Sequence, residues 1–248
     1  MRNLEGKYCI VTGAGKGIGK AIAERFVAEQ AAGVAIFEYN YELAQATALE
    51  LDPTGKKVIA IKCNVANIDD VKAAIDQTLA TFGRIDVLVN NAGITRDAIF
   101  HKMTPEEWHA VIDVNLNGVF NTCHYVVPLM REQESGAIVN ISSTSLKGNP
   151  GQANYAATKA ALQGFTRTMG KELGRKNVRM NCVAPAHVDT DMMRSVPAEQ
   201  FASLPKRNPM QRLAQPEEIA SVVTFLCTED ASWINAQTIY ASGGAATD

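Results

Sequence analysis

Seven short, nearly uninterrupted apolar runs alternate with longer amphipathic segments, and this alternation limits the possible folds more than any single motif. The runs are KYCIVT (7–12), VAIFE (34–38), KVIAIKC (57–63), IDVLVN (85–90), GAIVNIS (136–142), VRMNCVA (178–184) and AQTIYAS (236–242). Strands that are apolar on both faces suit a parallel sheet covered on each side by helices. Helix-length segments lie near 17–30, 41–51, 68–82, 105–131, 152–174 and 216–228. Connections of that length make βαβ units. The expectation is one doubly wound, Rossmann-like α/β domain of about seven parallel strands, spanning 1–248 without a dividing linker.

Two helix starts are well signalled. TPEE at 104–107 offers a capping Thr104, Pro105 in the first turn and Glu107 three residues after the threonine. QPEE at 215–218 has the same proline and acids with a weaker cap, so both acid pairs are read as helix starts, not as catalytic carboxylates. The stretch 187–215, with three prolines and three methionines, fits no regular element. A connection this long is usually functional. A substrate lid is expected there, against the alternative of a surface excursion with one or two short helices. Met192, Met193, Phe201, Leu204 and Met210 suggest an apolar pocket beneath it.

The bulk properties narrow the function classes. A formal net charge of −2 and no long basic run give no reason to expect a nucleic-acid or membrane partner. Cysteines 9, 63, 123, 182 and 227 are scattered and form no C-x-x-C pair, which points to free thiols in a reducing cytosol. The N-terminal apolar run is too short for a signal peptide and no window reaches 18 apolar residues, so a soluble, cytoplasmic protein is expected. The histidines at 101, 109, 124 and 187 lack metal-ligand spacing, and no metal is expected.

The first run leads into VTGAGKGIGKAIAERF (11–26), where Gly13, Gly15, Gly17 and Gly19 open a helix. Position 18 is isoleucine, so the spacing is T-G-x-x-x-G-x-G and not G-x-G-x-x-G; no Gly-Lys-Ser/Thr follows, which excludes a Walker loop. Glycines let the backbone turn tightly and bring bare N–H groups to a pyrophosphate at a helix N-terminus. At the end of the second strand, Glu38 is placed to accept hydrogen bonds from the adenosine ribose hydroxyls and to repel a 2′-phosphate. Lys16 offers the opposite preference. Because Glu38 is the better fixed of the two, NAD(H) is the expected cofactor, with NADP(H) as the alternative. Further along, Tyr155 and Lys159 stand four apart and share one helix face.

With NNAG at 90–93 and Y-x-x-x-K at 155–159 following the glycine turn in order, the sequence resembles the short-chain dehydrogenase/reductases over essentially its whole length. Its wording at NNAGITRD (90–97), GQANYAATKA (151–160), VAPAHVDTDM (183–192) and RLAQPEEIA (212–220) is most similar to 3-oxoacyl-(acyl-carrier-protein) and acetoacetyl-CoA reductases. It departs from them at Pro185-Ala186, where Pro-Gly is usual, and in the C-terminal ASGGAATD, which lacks their apolar tail. Of the two basic positions with which carrier-protein reductases grip their acidic partner, one is Glu134 and the other Lys176.

The resemblance implies a catalytic set of Asn115, Ser142, Tyr155 and Lys159. Tyr155 would act as general acid towards a carbonyl oxygen. A lysine cation about 4 Å away, at an effective dielectric of about 20, would favour the phenolate by about 4 kcal/mol, roughly three pK units. Ser142, thirteen residues before the tyrosine, is preferred over Ser143 for holding the substrate oxygen. Asn115 would position a water that connects Lys159 to solvent, or would only bend its helix. Cofactor contacts are implied at Gly13, Gly15, Lys16, Gly17, Ile18, Gly19, Glu38, Asn64, Val65, Asn91, Ala92, Gly93, Tyr155, Lys159, Pro185, Val188 and Thr190. His187 lies beside the expected nicotinamide contact and is a candidate for touching substrate.

The function implied is an NAD(P)-dependent oxidoreductase for a carbonyl/secondary-alcohol pair, foremost a 3-oxoacyl thioester carried on coenzyme A or acyl carrier protein. A dehydrogenase of a free alcohol, such as a hydroxysteroid or sugar alcohol, is the enzyme alternative. A dinucleotide sensor without chemistry is the alternative from another class. A homotetramer is implied, with the 105–131 and 152–174 helices paired across a two-fold axis.

Overall fold

The computed structural model describes residues 3–246. Strands β1 (Tyr8–Thr12), β2 (Gly33–Glu38), β3 (Val58–Lys62), β4 (Val87–Asn90), β5 (Gly136–Ile141), β6 (Val178–Val183) and β7 (Thr238–Ile239) form one sheet in the order β3-β2-β1-β4-β5-β6-β7. Every pairing is parallel. The strand order reverses between β1 and β4, and a crevice opens there at the carboxyl ends of the strands.

The helices, in chain order, are α1 (Gly17–Ala28), α2 (Tyr41–Leu51), α3 (Ile68–Phe82), α4 (Pro105–Ile112), α5 (Gly118–Gln133), α6 (Ala153–Leu173), α7 (Asp191–Arg194), α8 (Ala198–Ser203) and α9 (Pro216–Cys227). Alternate strand residues feed two cores. Val11, Ile36, Val89 and Val139 pack with α1, α2 and α9 on one face; Ile10, Phe37, Leu88 and Ile138 pack with α3, α5 and α6 on the other. Burying side chains such as Phe26 and Phe37 on both faces contributes roughly 1.5–3 kcal/mol each. The expected strands and helices match to within about two residues, with two exceptions.

The seventh run pairs over only two residues, because Ala236 enters with a left-handed φ of 60° and the ladder stops at Ile239. The 105–131 helix is interrupted by a π turn at Asp113–Asn117, which separates α4 from α5. At its start, Thr104 and Glu107 form the expected reciprocal cap, at 3.2 and 2.9 Å. At α9, Glu218 accepts from the Gln215 amide at 2.8 Å and is gripped by Arg212. The 187–215 stretch folds as α7, α8 and a short 3₁₀ turn. Its two ends are pinned together, Asp189 N–H donating to the Ala214 carbonyl and Ala214 N–H to that of His187. All five cysteines are free and buried. Among the described residues, no helix is long and apolar enough to cross a membrane and no cluster of side chains could hold a metal ion.

Candidate active site

The glycine turn leaves β1 at the reversal point. Gly13 has a φ of 64°, and a Cβ there would come within 2.8 Å of the Ala92 Cα. A Cβ at Gly19 would collide with the Gly13 carbonyl and lie 2.5 Å from Asn91 Nδ2, so only glycine lets the turn close. Helix α1 begins without a side-chain cap and without an acidic residue in its first turn. Its N–H groups therefore meet an anion unopposed, which fits a dinucleotide pyrophosphate. Ile18 packs down against the core beneath the turn.

Thr12, quoted in the motif but given no role by the sequence, turns out to organise this corner. Its hydroxyl accepts from the Asn91 and Ala92 amides at 3.0 and 2.9 Å. Asn91 Nδ2 in turn donates to the Thr12 and Gly13 carbonyls at 2.9 and 3.0 Å. Asn91 thus ties β4 to the glycine turn with its side chain.

Glu38 lies at the end of β2, where the sequence placed it. One of its carboxylate oxygens accepts from the Gly15 amide and the other from the Asn40 amide, each at 3.2 Å. Lys16 does not pair with it; the ammonium faces Asp191 at 3.5 Å, across the cleft at the start of α7. Thr190, which caps α7, comes within 3.6 Å of where a Gly17 Cβ would lie. Asn64 caps the turn after β3 through the Ala66 amide, and the Val65 carbonyl accepts from Asn121. Ala92 and Gly93 follow β4, while Pro185 and Val188 follow β6, all at the carboxyl edge. The Pro185 carbonyl accepts from Thr144, and Val188 bridges to Ala214.

Tyr155 and Lys159 project from the first turns of α6. Lys159 is 3% exposed, its Nζ donating to the Ile141 carbonyl at 2.7 Å and lying 5.4 Å from the Tyr155 ring centre. Burial pushes the ammonium pKa down to about 8. Burial likewise pushes the Tyr155 phenol up to about 12, while the Ser143 hydroxyl draws it down and the Asp97 carboxylate adds to the rise. This corrects the expected lowering by Lys159. The cation lies over the ring and bonds Ile141, and loss of water around the phenol is the larger effect. The phenol is therefore protonated at neutral pH.

The two serines meet different partners. Ser142 continues the side of β5 that carries Ile138 and Asn140, beneath α6, and its hydroxyl donates to the Lys159 carbonyl at 2.7 Å. It is buried and spent there. Ser143 accepts from the Ser145 amide at 3.2 Å, and its hydroxyl lies close enough to the phenol to draw its pKa down. The thirteen-residue count selects Ser142, whereas two-residue strand alternation, extended one step past β5, puts Ser142 on the buried side and Ser143 on the other.

Asn115 is fully buried at the centre of the π turn. Its Oδ1 accepts from the Ile94 amide at 2.8 Å and its Nδ2 donates to the Ile94 carbonyl at 2.9 Å. A Cβ on Gly93 would lie 3.4 Å from Asn115 Oδ1 and 3.5 Å from Lys159 Nζ, so the missing side chain leaves these groups facing one another. His187 lines a cavity of about 240 Å³ with Asn208, Met210, Arg212 and Tyr240, and its buried Nδ1 has no hydrogen-bond partner. Within 187–215, Leu204 is buried, whereas Met192 and Met210 are exposed. Glu134 and Lys176 lie away from the cleft and pair with each other at 2.8 Å.

The family model described as "Enoyl-(Acyl carrier protein) reductase" matches residues 13–246. The 3-oxoacyl-[acyl-carrier-protein] reductase FabG of Thermotoga maritima is 44% identical over 97% of this chain and 98% of its own length. A solved 3-ketoacyl-(acyl-carrier-protein) reductase from Brucella melitensis, complexed with NADH, superposes with a TM-score of 0.92 at 30% identity, covering 98% of this chain and 100% of that one. A solved short-chain dehydrogenase/reductase of the same organism, described as a glucose/ribitol dehydrogenase, gives 0.94 at 34% identity with full coverage of both chains. The phosphate turn, the Tyr155–Lys159 pair at the crevice and these likenesses agree: the chain belongs to the short-chain dehydrogenase/reductase family.

Proposed function

We propose that the protein is an NAD(P)-dependent oxidoreductase that reduces the carbonyl of a 3-oxoacyl thioester to a secondary alcohol. The observation that carries this reading is a phenol held protonated beside a buried lysine, at the end of a crevice that opens with an uncapped glycine turn. The bound dinucleotide supplies the hydride. Ser143 steadies the substrate oxygen, and Tyr155 gives it a proton as charge develops there. The Lys159 ammonium offsets the charge left on the phenolate. Asn115, gripping Ile94 from the π turn, shapes the space beside Gly93 through which a water reaches Lys159 and returns the proton.

Glu38 favours NAD(H), since its carboxylate is fixed by two amides while Lys16 is engaged by Asp191; NADP(H) is the second cofactor. The residues around the cleft, from Gly13 to Thr190, line the dinucleotide, and 187–215 serves as a lid hinged at its pinned ends. Because Glu134 neutralises Lys176, the coenzyme A thioester is the better probe than the strongly acidic carrier protein. The same pair supports a second reading, a dehydrogenase of a free secondary alcohol. The five free, buried cysteines support a cytoplasmic setting. A homotetramer through α5 and α6 is supported by exposed Phe120 and by Ala153, Ala157, Ala160 and Gly164 along one side of α6.

The test follows nicotinamide absorbance with both cofactors, on acetoacetyl-CoA, an acetoacetyl carrier-protein thioester, a hydroxysteroid and ribitol. Reduction of a thioester is expected, and Tyr155→Phe should abolish it while cofactor binding is retained. Turnover confined to the free alcohols would favour the second reading. Tight cofactor binding without turnover on any of them would favour a sensor.

A further inference from the structure

The turn that opens α6 is stitched to the segment after β4 by three hydrogen bonds. Ala98 N–H donates to the Gly151 carbonyl at 2.9 Å. Gln152 Nε2 donates to Asp97 Oδ2 at 2.8 Å, and Asn154 Nδ2 donates to the Arg96 carbonyl at 2.9 Å. Gln152 and Asp97 meet at the exposed rim, whereas Asn154 is fully buried. Its Nδ2 also donates to the Glu107 carbonyl at 3.2 Å, and its Oδ1 accepts from the backbone amide of Tyr155 at 2.7 Å. One side chain thus joins α4, the 94–98 segment and the residue that carries the phenol.

The position is unusual for a helix start. Gln152, at the cap of α6, makes no side-chain bond to the first turn. The amide of Tyr155, one of the N–H groups that a helix leaves unpaired, is satisfied from within the helix by its preceding neighbour. The same short segment is held from the opposite direction two residues earlier, since Asn115 takes both the amide and the carbonyl of Ile94. Two buried asparagines therefore grip one strip of backbone, one at Ile94 and one at Arg96. Through it the π turn and the start of α6 share a reference point.

We propose that Asn154 is a positioning residue: by locking the first turn of α6 to the Arg96 and Glu107 carbonyls, it sets the place of the Tyr155 phenol relative to Asn115 and the cofactor cleft. This rests on Tyr155 being the proton donor of the proposed function. A buried amide whose polar atoms are all satisfied holds backbone rigidly, and its truncation leaves two carbonyls and an amide without these partners. Proton transfer requires the phenol within hydrogen-bond reach of the substrate oxygen, so small displacements of α6 weigh on kcat more than on cofactor binding.

Two variants test this. Asn154→Ala should lower kcat at least about tenfold, counted per cofactor-binding site, while the NADH dissociation constant stays within about threefold. Asn154→Asp keeps the acceptor for the Tyr155 amide but, once ionised, cannot donate to Arg96 or Glu107. Its kcat relative to the unmodified enzyme should rise as pH falls and the carboxyl regains a proton to donate. If Asn154→Ala loses kcat and cofactor sites in equal proportion, or Asn154→Asp runs parallel to the unmodified enzyme at every pH, the residue is structural only and the inference fails. Tyr155→Phe separates the two ideas. If that variant turns over normally, the proposed function is wrong. If it is inactive and the Asn154 variants are unimpaired, only the positioning role is lost.

Discussion

Replacing Glu38 with alanine measures how the chain chooses between the two nicotinamide dinucleotides. The carboxylate is fixed by the Gly15 and Asn40 amides, so its charge stays at the end of β2. For a ribose 2′-phosphate about 5 Å away, at an effective dielectric of about 20, each unit of phosphate charge costs about 3 kcal/mol. Solvent at this half-buried site takes that towards half. NAD(H) meanwhile loses hydrogen bonds from its ribose hydroxyls, which water partly replaces. Both effects move the same ratio. The kcat/KM for NADPH over that for NADH on acetoacetyl-CoA should rise at least about tenfold, or 1.4 kcal/mol. Glu38 also steadies the glycine turn, so the variant should bind both dinucleotides less well; that common loss cancels in the ratio. Glu38→Gln, of the same size but neutral, should fall between. An unmodified enzyme that already prefers NADPH, or a ratio unmoved in Glu38→Ala, would refute the assignment of Glu38 to the ribose.

Lys159→Met should abolish turnover and yet raise the melting temperature at pH 7. The lysine pKa falls from 10.5 to about 8 on folding, so the unfolded chain binds more protons between these values, and stability gained from this residue grows as pH rises from 8 to 10.5. Below pH 8 its burial costs up to about 3 kcal/mol, which the methionine would not incur. The serines should separate cleanly: Ser143→Ala should lower kcat about a hundredfold. Ser142→Ala should lower stability by roughly 1 kcal/mol in denaturant melts, with kcat within a few-fold. The reverse pattern would restore Ser142 to the site. Gly19→Ala should eliminate cofactor binding by fluorescence titration, since its Cβ collides with the Gly13 carbonyl and crowds Asn91; retained NADH affinity would show that the turn relaxes freely.

Most of the sheet was legible because near-continuous apolar runs such as IDVLVN have few other uses, and the glycine turn and Tyr155–Lys159 pair lie where their spacing put them. What escaped was direction. Composition gives Ser142 and Ser143 equal claims, and a count of residues assumes a loop of constant length; only the fold shows that Ser142 lies on the buried side of β5. A sequence places a cation near the phenol but does not give the water removed around it, and burial is the larger effect on the phenol. Thr12 and Asn154 carry only ordinary polar side chains, and their partners lie up to 80 residues away, so no local pattern marks them. The short β7 escaped because a left-handed alanine at 236 leaves no signature in residue type.

A π turn holds one residue more than a regular helical ladder can accommodate. The reach of Asn115 to Ile94 is thus stored in the length of the chain between α4 and α5 as much as in the asparagine itself. Removing one residue within 113–117 would restore a continuous helix and turn every following side chain of α5 by about 100° about its axis. Such a deletion could leave Asn115 written in the sequence while taking its amide from Ile94. A comparison of relatives that scores letters but tolerates a one-residue gap would then count the site as intact. In this family member, the spacing of the helix is itself heritable information about the active site, and insertions or deletions there deserve the same weight as substitutions.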